Sequence, residues 1–202
     1  YINTSAVAGK TYYYKIRAVY ANGAGLLSSI YENTATCGQP EIEKGNNSSG
    51  LPTLKWEPAE GAAKYEVYRS EDGKDYVKAL TTTGTSYTNT SAEEGITYYY
   101  KVRGITSNGL TGAYSDVVTN KRLERPVAEC DVRTVDGKPI LRWKDLGAEH
   151  YVTYRATEKS GPYSRMLTTE KLSYINTSAV AGKTYYYKIR AVYANGAGVL
   201  SG

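Results

Sequence analysis

The sequence predicts an all-β protein made of tandem antiparallel β-sandwiches. Three observations carry that expectation. The chain repeats itself with a unit of about 87 residues. Within each unit, short runs rich in β-branched and aromatic residues alternate apolar and polar side chains. Turn pairs punctuate the runs: Asn22-Gly23, Asn108-Gly109 and Asn195-Gly196 hold one place in every unit, and Asp72-Gly73 adds another in the second.

The repeat fixes the frame. YINTSAVAGKTYYYKIRAVYANGAG begins at Tyr1 and ends at Gly25, then returns from Tyr174 to Gly198. The long period is therefore about 173 residues. Through position 29 the copies differ only at Leu26 against Val199 and Ser29 against Gly202. That period divides again. LPTLKWEPAEGAAKYEVYRS (51–70) resembles KPILRWKDLGAEHYVTYRAT (138–157), and Trp56 and Trp143, like Tyr98 and Tyr185, stand one unit apart. Three segments follow. Residues 1–36 carry the last part of a sandwich, strands E to G; 37–121 carry a complete one; 122–202 carry one that lacks the end of strand G. The first and third are of one type, so the order is A-B-A-B and the long period holds two domains.

Strands are expected at TYYYKIRAV in the first unit. In the second they fall at TLKW, KYEVYR and TYYYKVRGI, and the third has counterparts of all three. No helical period of any length occurs. The chain has 22 Tyr and no Phe. Tyr packs an apolar ring while its hydroxyl keeps a polar partner, which suits thin sheets with little deep interior.

Charge and hydropathy narrow the partners. Net charge is +5 overall, with +2 over residues 1–36, −1 over 37–123 and +4 over 124–202. None of these is the dense basic patch of a nucleic-acid binder, so no nucleic acid is expected. No apolar run approaches the roughly 20 residues of a membrane span, and nothing resembles a signal peptide, so no membrane insertion is expected. The chain starts in mid-pattern and reads as an excerpt of something longer.

Catalytic groups do not assemble in the sequence. His150 is alone, without a partner for metal or acid-base work. No Gly-rich phosphate loop, HExxH or CxxC occurs. Glu93-Glu94 are adjacent in a turn, so their carboxylates diverge. The sequons at Asn3, Asn47, Asn89 and Asn176 read as turn chemistry. No cofactor, no metal and no enzyme activity are expected.

The strand-B Trp residues (Trp56, Trp143), the strand-C Tyr residues (Tyr65, Tyr151) and a strand-F run that opens with Tyr after a Gly-x-Thr turn resemble the fibronectin type III family. The resemblance covers the whole chain. It implies a tyrosine corner at Tyr12, Tyr98 and Tyr185. The phrasing of SYTNTSA, AGKTYYYKIRAV and GAAKYEVYRS is similar to tandem copies in surface and secreted proteins of Gram-positive bacteria, including accessory parts of wall-active enzymes. An extracellular or cell-surface location follows from that likeness.

Period two then sorts the strand-F side chains. Tyr185, Tyr187, Ile189 and Ala191 face the core, as do Tyr98, Tyr100, Val102 and Gly104. The outer face of the C-F-G sheet carries Tyr99, Lys101 and Arg103 with Tyr68 in the second unit, and Tyr186, Lys188 and Arg190 with Tyr154 in the third. One reading is a binding face for sugars or anionic polymers, since Tyr stacks on sugar rings and Arg or Lys meets carboxylates. The other is cross-strand pairing and edge protection, with Glu66 opposite the basic pair.

Cys37 and Cys130 occupy non-equivalent places in the repeat. Shifted by the long period, a copy of Cys37 would fall at position 210, past the residues of this chain. Strands A and G are both edge elements in the type III fold, so a disulfide from Cys130 to that copy would staple first strand to last. Two free thiols are the alternative.

Two functions compete. One is a structural stalk, spacer or fibre-forming segment whose partners are neighbouring copies of the same repeat, joined in line or by strand exchange. The other is a carbohydrate- or wall-binding accessory module of an extracellular enzyme or adhesin, with glycans as partners.

Overall fold

Alternation along TYYYKVRGI sets Tyr98, Tyr100 and Val102 on one face and Tyr99, Lys101 and Arg103 on the other. In a computed structural model, which describes all residues except Thr134 and 195–197, the first three are buried and the second three half-buried. No helix occurs among the described residues, and the fold is all-β with antiparallel pairing. The expected turn at Asn195-Gly196 lies outside the described residues. At the corresponding sites Gly23 and Gly109 have φ of 132° and 91°, and no described residue other than glycine has positive φ.

The strands run in chain order. β1 (Thr11–Tyr14), β2 (Val19–Tyr20), β3 (Gly23–Ala24) and β4 (Tyr31–Thr34) belong to the first repeat. β5 (Ile42–Asn46), β6 (Pro52–Trp56), β7 (Lys64–Ser70), β8 (Val77–Thr82), β9 (Ser86–Thr88), β10 (Thr97–Ile105), β11 (Thr111–Tyr114) and β12 (Val118–Lys121) follow. β13 (Ala128–Val132), β14 (Pro139–Trp143), β15 (His150–Ala156), β16 (Ser164–Thr169), β17 (Ser173–Ile175), β18 (Tyr186–Val192) and β19 (Gly198–Leu200) complete the chain. The chain falls into two compact units. One holds Tyr1–Glu43, Leu54–Tyr87 and Tyr98–Thr119; the other holds Lys44–Thr53, Thr88–Thr97 and Asn120–Gly202.

The second unit contains a sandwich. Its sheets have the orders β13-β14-β17 and β16-β15-β18-β19. Leu141 and Trp143 from one sheet meet Tyr151, Ile189 and Ala191 from the other, with Tyr174 beside them. Trp143 and Tyr151 have ring centroids 5.5 Å apart. The Tyr151 hydroxyl accepts the backbone N–H of Leu146 at 2.8 Å, so a ring that fills the core also satisfies a loop donor.

The first unit shows the same devices. β11-β10-β7-β8 form one sheet, to which β12 adds by pairing with β10. Trp56 and Tyr65 lie edge to face at 5.5 Å, and the Tyr65 hydroxyl accepts the N–H of Ala59 at 2.9 Å. In the second repeat a further sheet has the order β5-β6-β9.

In the first repeat β1 pairs with β4 from Thr11↔Thr34 to Tyr14↔Tyr31, and β2 pairs with β3. Residues 1–10 make turns, and Tyr1 and Ile2 there are the copies of Tyr174 and Ile175 in strand E of the third repeat. That strand is β17, and its ladder partner is β14.

Tyr12 and Tyr185 accept the backbone N–H groups of Val7 (2.8 Å) and Val180 (3.2 Å), five residues upstream in each case. Tyr98 is 2% exposed, and Arg69 stacks on its ring at 5.3 Å, as Arg155 does on Tyr185 at 4.9 Å. The sequon asparagines organise turns. Asn176 is fully buried; its amide donates to the Tyr187 hydroxyl at 2.7 Å and its carbonyl accepts from Arg155 and Ser178. Asn3 repeats this, donating to Tyr14 at 3.0 Å.

Identical sequence thus meets two environments. Ile189 is 0% exposed, whereas Ile16, its copy in the repeated stretch, is 70% exposed. Ile189→Ala is expected to lower stability by about 2–5 kcal/mol in urea unfolding, and Ile16→Ala to change it by less than about 0.5 kcal/mol. Equal effects would refute the assigned burial.

Candidate functional site

The outer face of the C-F-G sheet is built from ladders. β10 and β7 pair Lys101 with Tyr68 and Arg103 with Glu66, and β11 sets Tyr114 opposite Arg103. A bulge after Val67 brings Lys78 of β8 opposite Tyr68. Without the bulge, period two would have carried Lys78 to another register.

These residues satisfy one another in the second repeat. The Glu66 carboxylate accepts from Arg103 (2.9 Å), Lys78 (3.1 Å) and the Tyr68 hydroxyl (3.0 Å). Arg103 also donates to Tyr68 at 3.0 Å. The Lys101 ammonium sits 4.0 Å from the Tyr76 ring centroid and 4.3 Å from that of Tyr114. Arg103 stacks on Tyr114 at 4.9 Å. Tyr99 covers the Asp72-Gly73 turn, its ring about a van der Waals contact from Gly73. Burial alone would raise the Glu66 pKa; hydrogen bonds from Arg103, Lys78 and Tyr68 outweigh it and hold the group at about 2. Burial first, then Tyr114 and Glu66, push the Tyr68 phenol up to about 12.

The third repeat keeps the scaffold and changes the contents. Tyr154 pairs with Lys188 and, across an equivalent bulge, with Arg165. Val152 stands opposite Arg190, where the second repeat has Glu66 opposite Arg103, and Leu200 stands where it has Tyr114. Tyr154, Tyr163, Lys188, Arg190 and Leu200 line a hollow of about 250 Å³. Tyr186, next on the same face, is half-buried. Sequence reasoning found Tyr68, Tyr99, Lys101, Arg103, Tyr154, Tyr186, Lys188 and Arg190. It missed Tyr76, Lys78 and Tyr114, and in the third repeat Tyr163 and Arg165, because bulges and turns rather than the strand-F period bring them in.

The cysteines part company. Cys130 is exposed on β13 and Cys37 is buried, and no disulfide joins the two. Glycines make the seat of Cys37: a Cβ on Gly104 or Gly112 would lie 2.8 or 2.7 Å from its sulfur. Asn108 donates to the Gly9 carbonyl at 3.0 Å, and Gly61 abuts Ala8, so the end of the first repeat is fastened to the second. In the second unit Leu123 plays a parallel part, packing on Val199 and Tyr193. Leu123 and Cys37 are packing plugs, each three residues before a buried Pro, Pro126 or Pro40.

No group of three His, Cys, Asp or Glu side chains that could hold a metal occurs among the described residues, and no helix there is long and apolar enough to cross a membrane. Among the described residues, seven strands split three and four, with a Trp-Tyr contact between the sheets and tyrosine corners, define a β-sandwich of the fibronectin type III class. No family model matches the chain. A stretch of 123 residues is 32% identical to the amylopullulanase of Thermoanaerobacter thermohydrosulfuricus, covering 57% of this chain and 8% of that protein. A stretch of 62 residues is 42% identical to the poly(3-hydroxybutyrate) depolymerase of Delftia acidovorans, covering 31% of this chain and 12% of that one. Among solved structures, the FN1-FN3 domains of chicken CNTN1 align over 93% of this chain and 74% of theirs, with 16% identity and a TM-score of 0.43.

Two outcomes follow. Since folding lowers the Glu66 pKa from 4.5 to about 2, its contribution is complete above the unfolded value and lost as pH falls through that window. Glu66→Gln should reduce stability at pH 7 by roughly 1–3 kcal/mol and flatten the acid limb between about pH 4.5 and 2. Asp72 is also lowered to about 2, so the mutant-minus-wild-type difference isolates Glu66. A constant difference across that range would refute the network. Separately, Gly104→Ala should destabilise by about 1–3 kcal/mol and be partly rescued by Cys37→Ala. Additive effects in the double variant would show that the two do not touch.

Proposed function

We propose that this chain is a non-catalytic structural repeat of an extracellular bacterial protein, a spacer or fibre-forming segment whose two-domain period carries Tyr1 to Tyr174. The segments are 1–36, 37–121 and 122–202. The observation that carries the reading is the return of residues 1–25 unchanged at 174–198. Reuse of a whole surface and core suits length, whereas a single binding site needs no second copy. The fastening of Ala8 and Gly9 to Gly61 and Asn108 supports it, because a spacer needs successive repeats held to each other.

Neighbouring copies are the proposed partners. Tyr13, Ile16, Tyr20, Leu27 and Tyr31 are all more than half exposed in the first repeat. A hollow of about 850 Å³ there is lined by Tyr12, Tyr14 and Ile16 among others. Strands equivalent to β14, β15 and β17 would fill it, as they bury the identical residues of the third repeat. Those strands come from a neighbouring copy, in line or by strand exchange.

A second reading, an accessory module of a polymer-degrading enzyme, is favoured by the two enzyme matches, each over a small share of the relative's length. Polypeptides carrying one, two and three of the two-domain periods separate the readings. A spacer gains an equal increment in maximum dimension per period in small-angle scattering. Dimensions that fail to grow would overturn the spacer reading. Polysaccharide pull-down lost on Tyr99→Ala and Tyr186→Ala would favour the module.

A further inference from the structure

The second repeat contains a carboxylate held by its own sheet, and the third repeat presents the same holders without one. Glu66 sits under Arg103, Lys78 and Tyr68. In the third repeat Arg190, Arg165 and Tyr154 stand at the matching ladder positions, and Val152 takes the place of Glu66. Strands β15, β16, β18 and β19 contain no Asp or Glu at all. Among the described residues neither Lys188 nor Arg190 makes a salt bridge. The Nε of Arg190 is buried with no hydrogen-bond partner. A buried guanidinium donor without an acceptor is costly, and a carboxylate is the group whose geometry matches it.

We propose that the hollow between Tyr154, Tyr163, Lys188, Arg190 and Leu200 is a carboxylate subsite for a uronate-bearing polysaccharide, and that Glu66 is the built-in stand-in for that carboxylate in the second repeat. The ligand oxygen takes the place of Glu66 Oε2, accepting from Arg190 and the Tyr154 hydroxyl, with Arg165 and Lys188 supplying charge. Tyr163, over which Lys188 lies at 5.1 Å, and Tyr186 offer ring faces for the sugar. A carboxylate is favoured over a phosphate because the occupied copy of the site holds one. Leu200 in place of Tyr114 leaves room that the second repeat fills with a ring. The two repeat types therefore differ in kind: one face is closed by its own acid and the other is open. Tyr13, Lys15 and Arg17 repeat the open type's strand-F residues in the first repeat. An array would therefore present the site once per two-domain period and hold a long polyanion by many weak contacts.

The inference rests on the binding-face reading and is independent of the spacer reading. Its test is titration of the full chain with oligogalacturonate by calorimetry and by NMR shift mapping, with neutral galacto-oligosaccharide and inorganic phosphate as comparators. Oligogalacturonate should bind, shift Tyr154 and Tyr163 but not Tyr68, and weaken as salt rises. Val152→Glu installs the acid that the second repeat tolerates and should weaken binding at least about tenfold, as should Arg190→Gln, while circular dichroism stays unchanged. Lys55→Gln, exposed on β6 of the second repeat and outside this face, should have no effect. Unchanged affinity in Val152→Glu would overturn the proposal. Binding of the neutral sugar alone would overturn it and keep the binding-face reading; binding of none of the three probes would sink both. Phosphate binding as tightly as oligogalacturonate would leave an anion site of another class and refute the uronate assignment.

Discussion

Everything in these sandwiches hangs on one cross-sheet contact, the strand-B tryptophan against the strand-C tyrosine. Trp56 meets Tyr65 and Trp143 meets Tyr151 at the same 5.5 Å separation. A sheet with one apolar face is unstable until that face is covered. The indole and phenol provide the area, and the tyrosine hydroxyl then reaches a loop N–H that would otherwise be orphaned. Fixing strand C in this way orients its other face outward, where Tyr68 and Tyr154 stand.

Tyrosine rather than phenylalanine is the general solution here. The core is only two sheets thick, so one end of each ring lies near water or backbone. Tyr12 and Tyr185 cap turns, and Tyr14 and Tyr187 take the amides of Asn3 and Asn176. The edge contacts of Tyr1 with Tyr14, Tyr87 with Tyr100 and Tyr174 with Tyr187, at 6.5, 6.2 and 6.4 Å, recur in all three repeats. The first repeat retains its local packing even where its larger apolar face is open.

Outward faces follow a different logic. Desolvated cations need acceptors, and a sheet can hold the acceptor itself or leave it to a ligand. The second repeat does the former through Glu66. The third, with Val152, does not. A single ladder position thus separates a face stabilised by its own charges from one with unmet hydrogen-bonding capacity, while every surrounding strand keeps its register.

Sequence alone determined the all-β class, the long repeat and the sorting of strand F into inward and outward residues, because each depends on a period that a linear text displays. The burial of Tyr98, Tyr100, Val102, Ile189 and Ala191 was legible for that reason. What the tertiary structure decided were matters of partnership. Cys37 is a plug because two glycines of the second repeat make room for it, which no local pattern announces. Lys78 and Arg165 join the outer faces because bulges shift the register by a residue. The same stretch of letters is core in one place and surface in another. Burial is a property of what lies opposite, and a strand cannot state by itself what will cover it.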